Sequence, residues 1–329
     1  MKKGFFMVLI FILALQIAGC GNSNSANGEK DSPKVNLAFS TWVGFAPLYI
    51  AEEKGYFKDN GVDVELTRME SSADRTTSLA SDRVQGIAST VDSHVVTGAN
   101  NIPITQVLTL DDSNGGDGIV AKKEIKSLED LKGKTVGVQT DGGASFFWFL
   151  YLLKEEGINV DDINLENMSA GDAGAAFVAG KLDAAVTWEP WLTKAKDTDF
   201  GHLLASSDQT PGVIADTIAM KKDFIKENPD AVKGLVKAWY DALDYLESDK
   251  EDAVNIMAKA MGQTPEEFEE ALKGVQYYDQ AKNEEYFGTN DNPGDLHDLT
   301  EMGATVWKER GIIKNDPDVE GLLDYSFIK

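Results

Sequence analysis

What this chain has least of is cysteine, with Cys20 alone among 329 residues. No intrachain disulfide is possible, so apolar burial must hold the fold. Histidine is almost as scarce: His94, His202 and His297 are the whole supply. None sits in a metal-ligand spacing such as His-Glu-x-x-His, and neither a Gly-x-Ser-x-Gly elbow nor a phosphate loop occurs. The expectation is therefore no catalytic residue, no cofactor and no metal. Positive charge is also short, since 31 Lys and Arg face 55 Asp and Glu, a formal net charge of −24. Nucleic-acid phosphates need a basic surface, so that partner is excluded. An apolar run long enough to cross a membrane, ~20 residues, is missing as well.

A shorter apolar run does open the chain. Lys2 and Lys3 precede Phe5 to Leu15, and Ile17-Ala18-Gly19 leads into Cys20. That layout reads as a secretory signal peptide over residues 1–19. The order Ile-Ala-Gly-Cys resembles the lipobox of bacterial lipoproteins, which implies cleavage before Cys20 and a diacylglycerol on its sulfur. Two acyl chains hold a protein on a membrane where one is marginal. Residues 20–33 are mostly Asn, Ser, Gly and Lys, a composition that reads as a flexible tether reaching about 20 Å. The expected location is extracytoplasmic, lipid-anchored to a bacterial cell membrane.

From residue 34 short apolar strands alternate with amphipathic helices. Residues 35–39, 62–66 and 86–90 read as strands, 46–54 as a helix closed by Gly55, and Asp74 as a helix N-cap. The same order returns with strands 135–139, 163–167 and 184–187, a helix over 145–156 closed by Gly157, and Asp172 as a second N-cap. Repeated parallel βαβ units predict an α/β fold with two lobes. Lobe 1 is assigned residues 34–112 and 216–329, and lobe 2 residues 113–215. After 216 the pattern reads as helix throughout, including 220–246, 251–260, 266–273 and 293–310, a segment expected to pack on lobe 1.

Three stretches carry a family resemblance: Gly44-Phe45-Ala46-Pro47-Leu48-Tyr49-Ile50-Ala51-Glu52-Glu53-Lys54-Gly55-Tyr56-Phe57, Asp130-Leu131-Lys132-Gly133-Lys134-Thr135-Val136-Gly137-Val138 and Trp188-Glu189-Pro190-Trp191. The chain resembles the type II periplasmic binding proteins of ABC importers, in the branch of nitrate, sulfonate, taurine and thiamine-precursor binders. The resemblance implies two lobes, a hinge and an interlobe cleft. It also implies a small-molecule ligand and a permease and ATPase as partners, with the binding protein itself a monomer and not an enzyme. A sensor subunit, or an enzyme of thiamine-precursor synthesis, is the remote alternative on the same fold.

In open α/β sheets ligands lie beyond the carboxyl ends of strands, at helix N-termini. That rule selects residues 40–45, 73–75 and 89–93 in one half, and 141–145 and 187–191 in the other. Residues 111–113 and 215–217 read as crossovers between lobes. The candidate ligand residues are Trp42, Phe45, Asp74, Arg75, Thr90, Asp92, Asp112, Ser145, Trp188, Glu189 and Asp216. Asp92, Asp111, Asp112, Glu189 and Asp216 outnumber the single cation Arg75 on these segments. Carboxylates facing a closed cleft repel an anion, and aromatic faces attract a cation. The charges therefore favour an amine, a guanidinium or amidinium, or a zwitterion such as an amino-sulfonate or betaine. The alternative is an anion, an alkylsulfonate or nitrate, or a thiamine pyrimidine precursor, with the helix start at Gly142-Gly143-Ala144-Ser145 supplying N–H donors.

Overall fold

The structure, a computed structural model, describes residues 32–140 and 142–329. The leader, Cys20 and most of the expected tether lie outside the described residues. Among the described residues no helix is long and apolar enough to cross a membrane.

Strand β1 (Lys34–Phe39) leads through α1 (Pro47–Glu53) and α2 (Tyr56–Asp59) to β2 (Asp63–Arg68). Helix α3 (Ser72–Ala80), β3 (Gly86–Thr90), α4 (Val91–Ala99) and the long β4 (Ile104–Ser113) follow. Next come β5 (Asp117–Lys122), β6 (Thr135–Val138), α5 (Ala144–Glu155) and β7 (Asn164–Asn167). Helix α6 (Ala170–Val178), β8 (Ala184–Trp188), α7 (Trp191–Lys196) and β9 (Gly201–Ser206) complete that stretch. The chain returns through β10 (Ala215–Lys221), α8 (Lys222–Glu227), α9 (Pro229–Ser248), α10 (Lys250–Met261) and α11 (Pro265–Leu272). It ends with β11 (Val275–Tyr277), α12 (Gln280–Phe287) and α13 (Asp295–Glu309).

Two main sheets result, ordered β11-β4-β10-β3-β1-β2 and β7-β6-β8-β5-β9. Strands β1, β2 and β3 pair in parallel, as do β6, β7 and β8. The sheets are nonetheless mixed. Strand β10 runs antiparallel between β3 and β4, and β5 antiparallel between β8 and β9. The physical reason is the pair of crossovers. Residues 114–116, too short for a helix, carry β4 of one sheet straight into β5 of the other, and β9 returns to β10.

The tail departs from the all-helical expectation. Residues 220 and 221 finish β10, and β11 adds an edge strand to β4. Helices α9 and α10 pack on α1. Helix α13 instead packs against both α4 and α5, with Trp307 set against Phe146 at 6.0 Å and Phe147 at 5.8 Å. The tail therefore touches helices of both halves, not one. Two N-caps also shift by three residues. Ser71 Oγ accepts from the Asp74 N–H, and Ser169 Oγ from the Asp172 N–H, each at 3.2 Å. The serine hydroxyl reaches forward to the third helical residue, so Asp74 and Asp172 lie inside the first turn, favourable to the helix dipole.

Burial explains which faces meet. Helix α9 starts with Pro229 in its first turn and buries Ala231, Val232, Leu235, Val236, Trp239, Ala242 and Leu243, spaced as one helical stripe. Gly234 lets that stripe approach the end of α2, where a Cβ would stand 2.3 Å from the Asn60 carbonyl oxygen. Gly234→Ala gains ~0.5–1 kcal/mol of helix propensity but must push backbone aside, an overpacking cost of ~1–3 kcal/mol. The variant should therefore be less stable by about 1–2 kcal/mol in urea unfolding; a higher midpoint would refute this close approach.

Candidate functional site

The register of three neighbouring strands builds the site. Asp216 on β10 pairs with Asp111 on β4 and with Thr90 on β3. Directly opposed residues of antiparallel strands put their side chains on one face, so the two carboxylates face the same space. Asp111 is 0% and Asp216 4% exposed. The Trp42 indole N–H donates to Asp111 Oδ1 at 2.8 Å, while Asp111 Oδ2 has no partner among the described residues. Asp117 opens β5 opposite Trp188 of β8. Asp92 stands in the first turn of α4, buried, with Oδ2 unpartnered. Asp216 is the centre: its charge interacts with Asp111, Asp117, Asp92 and Arg75.

Little in the protein balances these charges. Among the described residues no ion pair includes Asp92, Asp111, Asp117 or Asp216. Buried Arg75 donates through Nη1 to the carbonyls of Met69 at 2.6 Å and Glu70 at 3.0 Å, and its Nε has no partner. Burial lifts the carboxyls of Asp92 and Asp117 to about 6 each. Burial, then the facing carboxylates, raises Asp111 and Asp216 well above the usual range. His94, fully buried behind them with Nε2 at 3.0 Å from the Thr217 carbonyl oxygen, is pushed down to about 4 by the same burial. It is neutral at pH 7.

The other candidate residues divide. Thr90 caps the start of α4 beside Asp216, its Oγ1 2.9 Å from Ser93 Oγ. Trp188 stands at the end of β8 with 36% of its surface exposed, though large and apolar. Ser145 is buried in the first turn of α5. Asp112 goes to the opposite face. Adjacent strand residues alternate, and its Oδ2 accepts from the Gly212 N–H at 2.8 Å, in the field of Lys282. Phe45 is core, edge-on to Phe39 at 6.1 Å. Asp74 is exposed to solvent in the first turn of α3. Glu189 caps α7, accepting from Thr193 N–H at 3.0 Å and Thr193 Oγ1 at 2.9 Å.

Three residues of the site, Asp111, Asp117 and Gly44, are missing from the candidate ligand list, although Asp111 and Gly44 lie on segments the sequence singled out. Asp117 lies just past the crossover, and its only signal was the Gly115-Gly116 turn before it. Gly44 passes so close that a Cβ there would fall 2.1 Å from Asp111 Oδ1, which explains why the loop after β1 carries glycine. Two open grooves, about 580 and 560 Å³, lie elsewhere, one lined by Leu246, Glu269 and Tyr277 and the other by Tyr56, Asp241 and Ser248. They are shallow and lack converging buried polar groups, so the enclosed carboxylates are the stronger site.

Comparison with known proteins follows this geometry. A family model described as NMT1/THI5 like matches residues 42–253. A putative aliphatic sulfonates-binding protein of Bacillus subtilis (strain 168) is 24% identical, covering 100% of this chain and 96% of its own. The taurine-binding periplasmic protein of Escherichia coli (strain K12) is 29% identical, over 63% of this chain and 65% of its own. The crystal structure of the periplasmic aliphatic sulphonate binding protein SsuA from Escherichia coli superposes with a TM-score of 0.74 at 15% identity, covering 90% of this chain and 99% of that one. The fold is thus that of the periplasmic binding proteins.

The buried acids set a pH dependence. Raised carboxyl pKa values mean that the folded state keeps protons the unfolded chain has lost, so their contribution is greatest at low pH and fades as pH rises through about 6. His94 opposes this, losing stability as pH falls from 6.5 toward about 4, but four carboxyls outweigh one imidazole. Asp130, Asp183 and Asp252, lowered by hydrogen bonds, act only near the bottom of the range. Ligand-free protein should melt higher at pH 5 than at pH 8 by calorimetry, and Asp216→Asn should flatten that slope. A slope unchanged by Asp216→Asn contradicts the account.

Proposed function

Because this chain belongs to the NMT1/THI5-like family, we propose that it captures a small solute where its two sheets meet and presents it to an ABC permease and its ATPase. The chain is a solute-binding protein of an ABC importer, not an enzyme. The observation that supports the capture site is the set of buried polar groups, two carboxylate oxygens among them without a partner among the described residues, where β3 and β4 end and β5 and β10 begin. Residues 111–113 and 215–217, read as crossovers, lie in β4 and β10; the adjoining connections 114–116 and 207–214 support lobe boundaries near 113 and 215 and a hinge there. A lipid on Cys20 would hold the protein, as a monomer, on the outer face of the membrane; the Ile17-Ala18-Gly19-Cys20 order supports this.

The relatives' names favour a solute with an anionic group, a sulfonate or taurine, over a bare cation. Supporting donors exist: the first turn of α5 carries no acidic side chain, and Arg75 Nε has no hydrogen-bond partner among the described residues. A second reading, a solute with a positively charged head, draws on the four buried carboxylates. Either solute must stabilise the closed form by its differential affinity for it. The expected result is that an alkylsulfonate or taurine raises the melting temperature of the full chain and shrinks its radius of gyration in solution scattering. Deletion of the gene in its host should abolish uptake of that solute. Undiminished uptake by the deletion strain would refute the transport role.

A further inference from the structure

We propose that the solute carries a small N–H-rich cationic head, a protonated amine, amidinium or guanidinium, that seats among Asp92, Asp111, Asp117 and Asp216. This rests on the solute-capture reading above and names the chemistry of one end of the solute; an anionic group elsewhere on it is compatible.

The acids alone would not establish a site, since carboxylates cluster on many surfaces. These are not on a surface. All four are at least nine-tenths buried, and Asp111 Oδ2 and Asp92 Oδ2 are oxygens with no hydrogen-bond donor anywhere among the described residues. A buried carboxylate oxygen without a donor is among the least tolerated groups in a folded protein. Two of the four, Asp111 and Asp216, are held face to face by strand register and cannot separate without breaking the β4–β10 ladder. Arg75 is in range of Asp216 but directs its paired hydrogen bonds to the carbonyls of Met69 and Glu70, forming no ion pair. In the ligand-free protein protons held on the raised carboxyls complete the arrangement; an added cation would take their place.

The kind of cation follows from the spacing. A metal ion needs three or more oxygens drawn closely around one point. Among the described residues, the group of three such ligand atoms lying within 4.8 Å of one another is His297, Asp298 and Glu301, far along the chain on α13 and largely exposed. The four buried carboxylates do not converge so tightly. They suit a molecular cation that spreads several N–H donors over separated acceptors, as a guanidinium does with its planar fork. Two tryptophans are placed to flank it. Trp42 is pinned by its N–H to Asp111, and Trp188 stands exposed opposite Asp117. A cation beside aromatic faces gains attraction that an anion does not.

The test is calorimetric titration of the full chain at pH 7.5 with guanidinium chloride, ethylammonium, taurine, ethanesulfonate and nitrate, each at sub-millimolar concentration. At least one of the first three should bind, and Asp216→Asn and Asp111→Asn should each weaken it tenfold or more. Both variants should leave the ligand-free protein as stable or more so, because each removes one of two facing charges. Asp112→Asn, on the opposite face, should keep the affinity within twofold. Binding of ethanesulfonate or nitrate with affinity unchanged or improved by Asp216→Asn overturns the cationic head while leaving solute capture intact. Failure of all three amine-bearing probes to bind also overturns it. Equal weakening by Asp112→Asn would assign the effect to folding and likewise sink the proposal.

Discussion

Everything about this molecule's centre depends on Asp111 facing Asp216 across the β4–β10 ladder. Like charges directly opposite on neighbouring strands destabilise a sheet, and burial sharpens the repulsion because water no longer screens it. The protein answers only in part. The Trp42 indole holds one oxygen of Asp111, Gly44 leaves its backbone room, and the remaining strain appears as carboxyl groups whose protons are held too tightly. A sequence optimised for stability would replace either residue. Local rules broken without compensation in the protein itself mark places where something else completes the structure.

The same residues sit at the joint between the two sheets. Ser113 Oγ and Ser207 Oγ lie 2.8 Å apart, and Ser207 Oγ also accepts from the Gly115 N–H at 2.8 Å. Ser113 Oγ accepts from the Asp117 N–H at 3.1 Å. One small hydrogen-bonded knot thus ties both crossovers together, with Asp111 and Asp216 on one side and Asp117 on the other. A solute drawing those three acids together acts on strands of both sheets at once. On the proposed reading, occupancy would be coupled to the relative setting of the halves through backbone. Helix α13 adds a second tie, because Trp307 donates to the Asp92 carbonyl at 3.2 Å while its ring rests on Phe146 and Phe147.

The repeating strand and helix order was legible because hydrophobic period and helix-closing glycines are local signals. β1, β3, β6, β8, α1 and α5 fall within a residue or two of the pattern. What local signals missed is instructive. The Ile104 to Leu110 run does not alternate, with Thr105-Gln106 and Val107-Leu108 side by side and every residue of β4 buried, so β4 and β10 went unread, their role being set by partners far away in sequence. The N-caps were expected at Asp74 and Asp172, whereas Ser71 and Ser169 hold that role, since both residue types cap well and only geometry decides between them. At the candidate site, Trp42, Arg75, Thr90 and Asp92 lie on segments singled out by strand ends, and Asp216 on one read as a crossover. Asp112 was chosen over Asp111 because strand phase, which a one-residue shift reverses, cannot be set inside an unrecognised strand. Trp148, Trp239 and Trp307 are core residues, each with its N–H satisfied by Thr210 Oγ1, the Tyr278 carbonyl and the Asp92 carbonyl.

The relatives' sulfonate and taurine names and the site's negative charge are reconciled by scale. A fold shared at 15% identity transmits the frame, while recognition is decided by a handful of side chains that can change without disturbing it. A bare anion seated about 5 Å from an ionised carboxylate meets a repulsion of about 3 kcal/mol at an effective dielectric of ~20. Several carboxylates multiply that cost, and a single guanidinium such as Arg75 offsets only one of them. A solute bearing both signs escapes the conflict by turning its positive end to the acids and its negative end to N–H donors. Taurine-like molecules have that form, so on the proposed reading the relatives' names and these aspartates would concern opposite ends of one small molecule.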